Sequence, residues 1–216
     1  PALIVDEALK FIEANAKERF FLYLALNTPH ANNEGGKGDF ERGMEVPDYG
    51  PFADRDWPDH EKGFARMMHD VDLTAARVME KLRQLGLAEN TLVVFTSDNG
   101  PHQEGGHEVD LFDSNGPLRG RKRDLYEGGI RVPMIAWWPG QVPVGAVSDH
   151  LSGFQDWMPT FAELVGIEVP INDGFSLLPT LQGNTETQSR HDYLYFEIYE
   201  GGGKQAIVTD RWKAVR

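Results

Sequence analysis

The pattern of apolar and polar positions divides the chain into helical and extended segments. Apolar residues recur at helical spacing in three stretches, 6–17, 59–87 and 155–165. Residues 20–26 and 91–96 are apolar at almost every position, which is typical of strands buried on both faces of a sheet. A further strand is predicted over 132–138, and the tail from Tyr193 to Arg216 alternates in the manner of antiparallel strands.

This order of elements predicts an α/β fold in which helices flank a mostly parallel central sheet, followed by the start of a small antiparallel sheet. A polar, irregular stretch near residues 178–190 suggests a division into an α/β part, 1–180, and a C-terminal part, 181–216. Two long segments, 31–58 and 101–118, are rich in turn-forming residues. Loops of that length inside a domain are usually binding loops or lids.

The strand at 91–96 is followed by Ser97-Asp98-Asn99-Gly100-Pro101, which cannot continue it. In open α/β sheets ligands collect beyond the carboxyl ends of strands, so Asp98 and Asn99 are candidates for chemistry. Their carboxylate and amide oxygens are hard ligands suited to Ca²⁺ or Mg²⁺. The same dipeptide also suits an Asx-type turn that closes a strand, so the pair alone leaves both interpretations open.

Charge and composition narrow the classes of partner. A net charge of −13 argues against nucleic acid, because phosphate binding needs a cationic face. Arg119, Arg121, Lys122 and Arg123 nevertheless form a local cationic segment. No stretch has the roughly 20 apolar residues of a membrane span. The chain has no cysteine, which excludes disulfides and thiolate metal sites and leaves the compartment undecided.

Several motifs stand in a fixed order along the chain. They are Asn27-Thr28-Pro29-His30, Thr96-Ser97-Asp98-Asn99-Gly100, the segment Gly116 to Pro133 with Gly120-x-Lys122-x-x-x-Tyr126-Glu127-Gly128-Gly129, and Arg211-Trp212-Lys213. Together they closely resemble the sulfatase family of the alkaline-phosphatase superfamily, over nearly the whole chain. The resemblance implies an alkaline-phosphatase-like fold and hydrolysis of sulfate monoesters, either aryl or carbohydrate sulfates.

The resemblance also implies roles for particular residues. Asp98 and Asn99 match two family ligands of Ca²⁺, and Lys122 matches the lysine that contacts the sulfate. His30 matches the histidine that contacts the substrate and can protonate the leaving oxygen, work that suits an imidazole. His102 is a further candidate for substrate contact, as is His107, although both could equally be ordinary loop residues.

Part of the family pattern is not found in this sequence. The nucleophile of the family is a formylglycine made from a Cys or Ser in a Cys/Ser-x-Pro-x-Arg motif, and no residue here stands in that pattern. The Asp-Asp pair that completes the Ca²⁺ site is also missing. We therefore expect an N-terminal part of the same protein to supply both, and we expect the present chain alone to be inactive. By resemblance, the parent protein would be periplasmic or secreted.

Asn99 distinguishes branches of the superfamily. Two-metal phosphatases and phosphonate hydrolases carry Asp-His-Gly at this position, where the imidazole holds a transition metal. An amide oxygen is a poor substitute there but a good Ca²⁺ ligand, which favours the sulfatase branch. A phosphoryl or phosphonate hydrolase, and a non-catalytic anion-binding relative, remain the alternatives.

Overall fold

A computed structural model describes residues 2–33 and 43–216. The chain forms two compact units, each made of two segments. The first unit contains residues 1–91 and 101–117, and the second contains 92–100 and 118–216. Among the helices of the described ranges, none combines the length and the apolarity needed to cross a bilayer.

Two helices form the frame of the first unit. Helix α1, Ala2–Ala14, buries Val5, Ala8 and Ile12, which share one face at helical spacing. It lies against α2, Asp59–Gln84, and exposed ion pairs join Arg77 to Asp6 and Lys81 to Glu13 at 2.6 and 3.2 Å. Both helices were expected from the periodicity, and α2 ends just before Gly86, whose φ of +69° suits a helix terminus.

The amino-terminal half of α2 carries the core of this unit. Phe64 and Met67 pack with Ala31 and Met44, which belong to the long loop predicted over 31–58. Within that loop the structure shows a single 3₁₀ turn, Gly50–Phe52, in the described residues, and residues 34–42 lie outside them. The second predicted loop, 101–118, likewise contains only a 3₁₀ turn, Val109–Leu111. The core therefore fixes two irregular loops against one helix.

The second unit contains two antiparallel sheets and three short helices. Its elements are β1 (Val93–Thr96), α3 (Glu127–Ile130), β2 (Met134–Trp137), α4 (Trp157–Val165), α5 (Leu178–Leu181), β3 (Leu194–Ile198), β4 (Lys204–Val208) and β5 (Lys213–Val215). Strands β1 and β2 pair with Val94 opposite Ala136. The order β3-β4-β5 confirms the predicted C-terminal antiparallel sheet.

The predicted mostly parallel central sheet is not formed by the described residues. Strand β1 pairs with β2 in the antiparallel sense, and residues 20–26 have no assigned strand. Their side chains alternate in exposure, with Phe21 65% and Tyr23 76% exposed. The apolar run predicts a strand covered on both faces, whereas in this structure one of its faces is open.

A buried carboxylate organises the loops around α4. Asp156 is fully buried, and its two oxygens accept hydrogen bonds from the main-chain N–H groups of Gly153 and Phe175, both at 2.8 Å. The Nε2 atom of His191 lies 2.7 Å from Oδ1 of the same carboxylate. One side chain thus joins the start of α4 to residue 175 and to the segment before β3.

We expect Asp156→Asn to lower the free energy of unfolding by about 2–3 kcal/mol. The amide would lose the charge that His191 faces, and its NH₂ group cannot accept the second main-chain hydrogen bond. Urea denaturation followed by circular dichroism measures the change. Asp149→Asn is the matched control, because Asp149 is exposed and its carboxylate has no partner in the described part of the chain. Equal stability of the two variants would contradict the assigned role.

Candidate active site

The turn after β1 carries the two predicted metal ligands. Asp98 is exposed and Asn99 is partly buried. The Ser97 hydroxyl donates to the main-chain oxygen of Asn99 at 3.0 Å, and Thr96 Oγ1 donates to the oxygen of Pro133 at 2.9 Å. These bonds fix the backbone of the turn. The Asp98 carboxylate itself has no hydrogen bond or ion pair with the described residues, so its oxygens are available to a ligand.

Three glycines hold this turn against the short helix α3. The Gly100 N–H donates to the Gly129 oxygen at 2.9 Å, and the Gly128 N–H donates to the Arg119 oxygen at 2.7 Å. A Cβ atom added at Gly100 would overlap the main-chain oxygen of Gly128, and one added at Gly128 would overlap the oxygen of Gly120. Only glycine permits backbones to approach this closely. We call Gly100, Gly128 and Gly129 the glycine contact.

The same contact fixes the turn that presents Lys122. The Asp124 N–H closes this turn on the Arg121 oxygen at 2.8 Å, which places Lys122 and Arg123 at its two central positions. Arg123 has a φ of +73°, as the third residue of a type II turn requires. Lys122 is partly buried rather than fully solvated. Lys122 thus lies in a turn, and its contact with sulfate stays a prediction.

Charged side chains of β4 and of the turn between β3 and β4 pair with the residues that follow Lys122. Lys204 Nζ lies 3.0 Å from Asp124 Oδ1, and Arg123 Nε lies 2.9 Å from Glu200 Oε2. Burial raises the pKa of Asp124, but hydrogen bonds and charges from Lys204 and Arg121 outweigh it, so the pKa lies below its usual value. A depressed pKa means that this pair stabilises the fold above pH about 3.9 and less as the pH falls through the folded pKa.

Glu127, whose partner could not be read from the sequence, has two. Lys213 Nζ lies 2.7 Å from Glu127 Oε1, and Arg131 lies 3.8 Å from Oε2. Lys213 belongs to the Arg211-Trp212-Lys213 motif. This ion pair joins β5 to α3, so the Arg211-Trp212-Lys213 motif contacts the glycine-rich segment.

In the first unit, His30 follows a turn closed by its own N–H, which donates to the Asn27 oxygen at 3.0 Å. The ring is half exposed: 47% of the side chain is accessible to solvent. Nδ1 lies 2.7 Å from the oxygen of Ala31, and Nε2 lies 3.2 Å from the Glu104 carboxylate. His30 therefore lies at the surface in a fixed orientation, as a group that contacts substrate must.

His102 lies against His30, with ring centroids 5.7 Å apart. Its Nδ1 accepts the Glu104 N–H at 3.1 Å, so its proton is on Nε2, which donates to the Pro29 oxygen at 3.0 Å. The ring is only 7% exposed. Because main-chain groups engage both nitrogens, the geometry gives His102 a positioning role beside His30, and its predicted contact with substrate stays a prediction.

Sequence reasoning missed two carboxylates of this unit. Glu104 was not singled out, although its spacing from His102 in an irregular loop was visible. Glu61 is 1% exposed and pairs with the equally buried His107 at 2.7 Å, while its other oxygen accepts the Glu108 N–H at 2.7 Å. His107 stacks on Phe64 at 3.6 Å. His107 is therefore a core residue, and its candidacy for substrate contact is wrong.

The donors partly fit a calcium ion. Asp98 and Asn99 offer hard oxygens at the end of a strand, and the Asp98 carboxylate is unengaged. Ca²⁺ takes about 6–8 oxygens, however, and two side chains supply at most about three. In the described ranges no group of three or more His, Asp or Glu side chains could hold a metal. These two residues would thus form one side of a calcium site.

Comparison with known proteins identifies the family of this chain. The Sulfatase family profile matches residues 2–167, and a profile for the C-terminal part of N-sulphoglucosamine sulphohydrolase matches 120–216. The N-acetylgalactosamine-6-sulfatase of Canis lupus familiaris is 33% identical over 97% of this chain, which spans 37% of that protein.

Two solved structures share the fold. Ps i-CgsB in complex with k-i-k-neocarrahexaose superposes with a TM-score of 0.80 at 30% identity, over the whole of this chain and 45% of its own. BT4656 with its substrate D-glucosamine-2-N,6-O-disulfate gives 0.57 at 26%, over 73% of this chain and 31% of its own. The fold is therefore alkaline-phosphatase-like. The chain belongs to the sulfatase family.

We expect Gly128→Ala to destabilise this protein by about 2 kcal/mol or more, although alanine favours a helix. A methyl group at this position would meet the oxygens of Leu118 and Arg119 at 2.8 and 2.9 Å, and main-chain oxygens cannot turn away. Gly166→Ala is the control: it has open space and a φ of +71°, so only the backbone cost of about 1 kcal/mol applies. Thermal unfolding measures both. A Gly128→Ala variant as stable as wild type would show that the backbones need no close approach.

Proposed function

We propose that this chain is part of a sulfuric ester hydrolase that cleaves sulfate monoesters with Ca²⁺ and an upstream formylglycine derived from Cys or Ser. The chain spans little more than a third of the curated relative described above, so this activity is assigned to the full-length enzyme. The observation that carries the proposal is the glycine contact, which ties a turn with hard oxygen ligands to a turn that presents a cation.

Sulfate ester hydrolysis sets the requirements of the site. The sulfuryl group is an anion, and negative charge develops on the departing oxygen, so the site needs cations and a proton donor. A bound Ca²⁺ would polarise the sulfuryl oxygens, with Asp98 and Asn99 among its ligands. Lys122 carries its charge on a flexible stem and would bind the same oxygens. The calcium ion and Lys122 would both act on the sulfuryl group, which all the substrates share.

His30 would protonate the leaving oxygen. As the ester S–O bond breaks, its electron pair goes to the departing oxygen, which takes the proton from His30 Nε2. The neutral ring keeps its Nδ1 proton on the Ala31 oxygen and regains the other from water. Since Nδ1 is held, Nε2 is the nitrogen that can transfer its proton without a change of ring orientation. General acid help of this kind is worth about 10²–10⁴-fold.

We infer that the substrate is a sulfated carbohydrate. Both solved relatives named above were determined with carbohydrate ligands, one of which is a substrate that carries sulfate groups. An aryl sulfate is the other possibility within the class. We further propose a periplasmic or secreted location, and no nucleic-acid partner, for the parent.

Asn99 weighs against phosphoryl or phosphonate hydrolysis. Its amide is partly buried at the end of β1, where an imidazole would be needed to hold a transition metal. Lys122 and His30 equally suit a non-catalytic relative that only binds anions, which makes turnover the deciding measurement.

The fold of the full-length enzyme forms part of the proposal. Residues 20–26 form no helix, and every second side chain in them is exposed. This supports their place as a strand in a mostly parallel central sheet that includes the N-terminal part of the same protein. The division into 1–180 and 181–216 likewise stays part of the proposal.

Substitutions in the full-length enzyme test the roles. His30→Ala should lower kcat/KM by about 10²–10⁴-fold for sugar sulfates, whose alkoxide needs a proton, and far less for nitrophenyl sulfate. Asp98→Ala and Lys122→Ala should lower it for all substrates alike. The measurement is kcat/KM across aryl sulfates of graded leaving-group pKa. If His30→Ala gives a line parallel to wild type, with unchanged slope, then His30 binds the sulfate and is not the acid.

A further inference from the structure

Glu104 lies beside the general acid and has no role in the function proposed above. Its side chain is only 13% exposed, whereas that of His30 is 47% exposed, and their charged atoms are 3.2 Å apart. We propose that Glu104 is a positioning residue that keeps the His30 ring doubly protonated and ready to donate. This inference rests on the proposed role of His30.

The hydrogen-bond partners of His30 specify its protonation. Nδ1 lies 2.7 Å from the Ala31 oxygen, and a main-chain carbonyl can only accept, so Nδ1 carries a proton. Nε2 faces the Glu104 carboxylate, which as an anion also only accepts. A neutral ring could satisfy just one of these partners. The two together favour the imidazolium, which is the form that a general acid must have before the reaction.

The loop holds Glu104 in place through its main chain. The Glu104 N–H donates to His102 Nδ1 at 3.1 Å, and His102 Nε2 donates to the Pro29 oxygen at 3.0 Å. His102 therefore connects the residue before His30 to the residue that pairs with it. Next to Glu104, Gly105 has a φ of +64°, and a Cβ there would lie 3.1 Å from the Ala31 Cβ. The carboxylate is thus placed by backbone contacts.

The electrostatics around His30 support the same role. His102 and Glu104 both face the His30 ring. His102 is neutral in this geometry, because its Nδ1 accepts a hydrogen bond. Glu104 is therefore an anion that balances the His30 charge, and its low exposure limits screening. After each proton transfer the carboxylate would favour return of a proton to Nε2.

The test is Glu104→Gln in the full-length enzyme, with two measurements. First, ¹⁵N NMR of the ring nitrogens at neutral pH should show the ratio of doubly to singly protonated His30 falling by about tenfold or more, the effect of losing one nearby opposite charge. Second, kcat/KM should fall for sugar sulfates far more than for nitrophenyl sulfate. The decline of kcat/KM at high pH should also begin at a lower pH in the variant than in the wild type. Glu104→Asp should restore part of both effects.

The matched control is Glu108→Gln, which removes the same charge from the same loop at an exposed side chain. It should leave both measurements unchanged. If Glu104→Gln and Glu108→Gln give the same His30 protonation as wild type, the positioning role is overturned. If protonation changes as expected but the wild-type enzyme does not cleave sulfate esters, the pairing stands and the proposed function fails. A fall in kcat/KM that is equal for sugar sulfates and nitrophenyl sulfate would show that Glu104 has only a structural role.

Discussion

The close approach of three glycine backbones is the constraint on which the second unit depends. Gly100 follows the two hard oxygen donors directly, and its N–H is bound to Gly129. Gly128 is in turn bound to the residue at the start of the cationic segment. A side chain at Gly100 or Gly128 would push these segments apart. The glycines therefore set how closely the turn that carries Asp98 and the turn that carries Lys122 can approach. This limit is steric and does not depend on their charges.

Buried or half-buried carboxylates hold the irregular loops in both units. Glu61 and Asp156 each accept main-chain N–H groups and also face a histidine, His107 and His191 respectively. Asp124 accepts the main-chain N–H of Arg121 and also pairs with Lys204. Loops without helix or strand ladders need partners for their N–H groups, and charged acceptors make strong ones. In a chain of net charge −13, several acidic residues thus contribute to order as well as to solubility.

Local pattern predicted local structure well and long-range pairing poorly. The helices at 2–14 and 59–84, the strands at 93–96 and 134–137 and the C-terminal hairpin follow from periodicity and turn residues. The relative direction of paired strands cannot be predicted in this way, because an apolar run is compatible with both parallel and antiparallel pairing. The buried state of His107 was missed for a related reason: its partner Glu61 is 46 residues away in sequence, on α2. Glu104 was missed for the same reason, because it contacts His30 only after the loop has folded.

The most direct test of the central claim compares a sulfate ester with its phosphate analogue in the full-length enzyme. The measurement is kcat/KM for nitrophenyl sulfate and nitrophenyl phosphate, before and after metal removal by a chelator and after return of Ca²⁺ or Zn²⁺. A Ca²⁺ sulfatase should prefer the sulfate, lose activity with the chelator and regain it with Ca²⁺. Preference for the phosphate with recovery on Zn²⁺, or no turnover of either ester, would contradict the account.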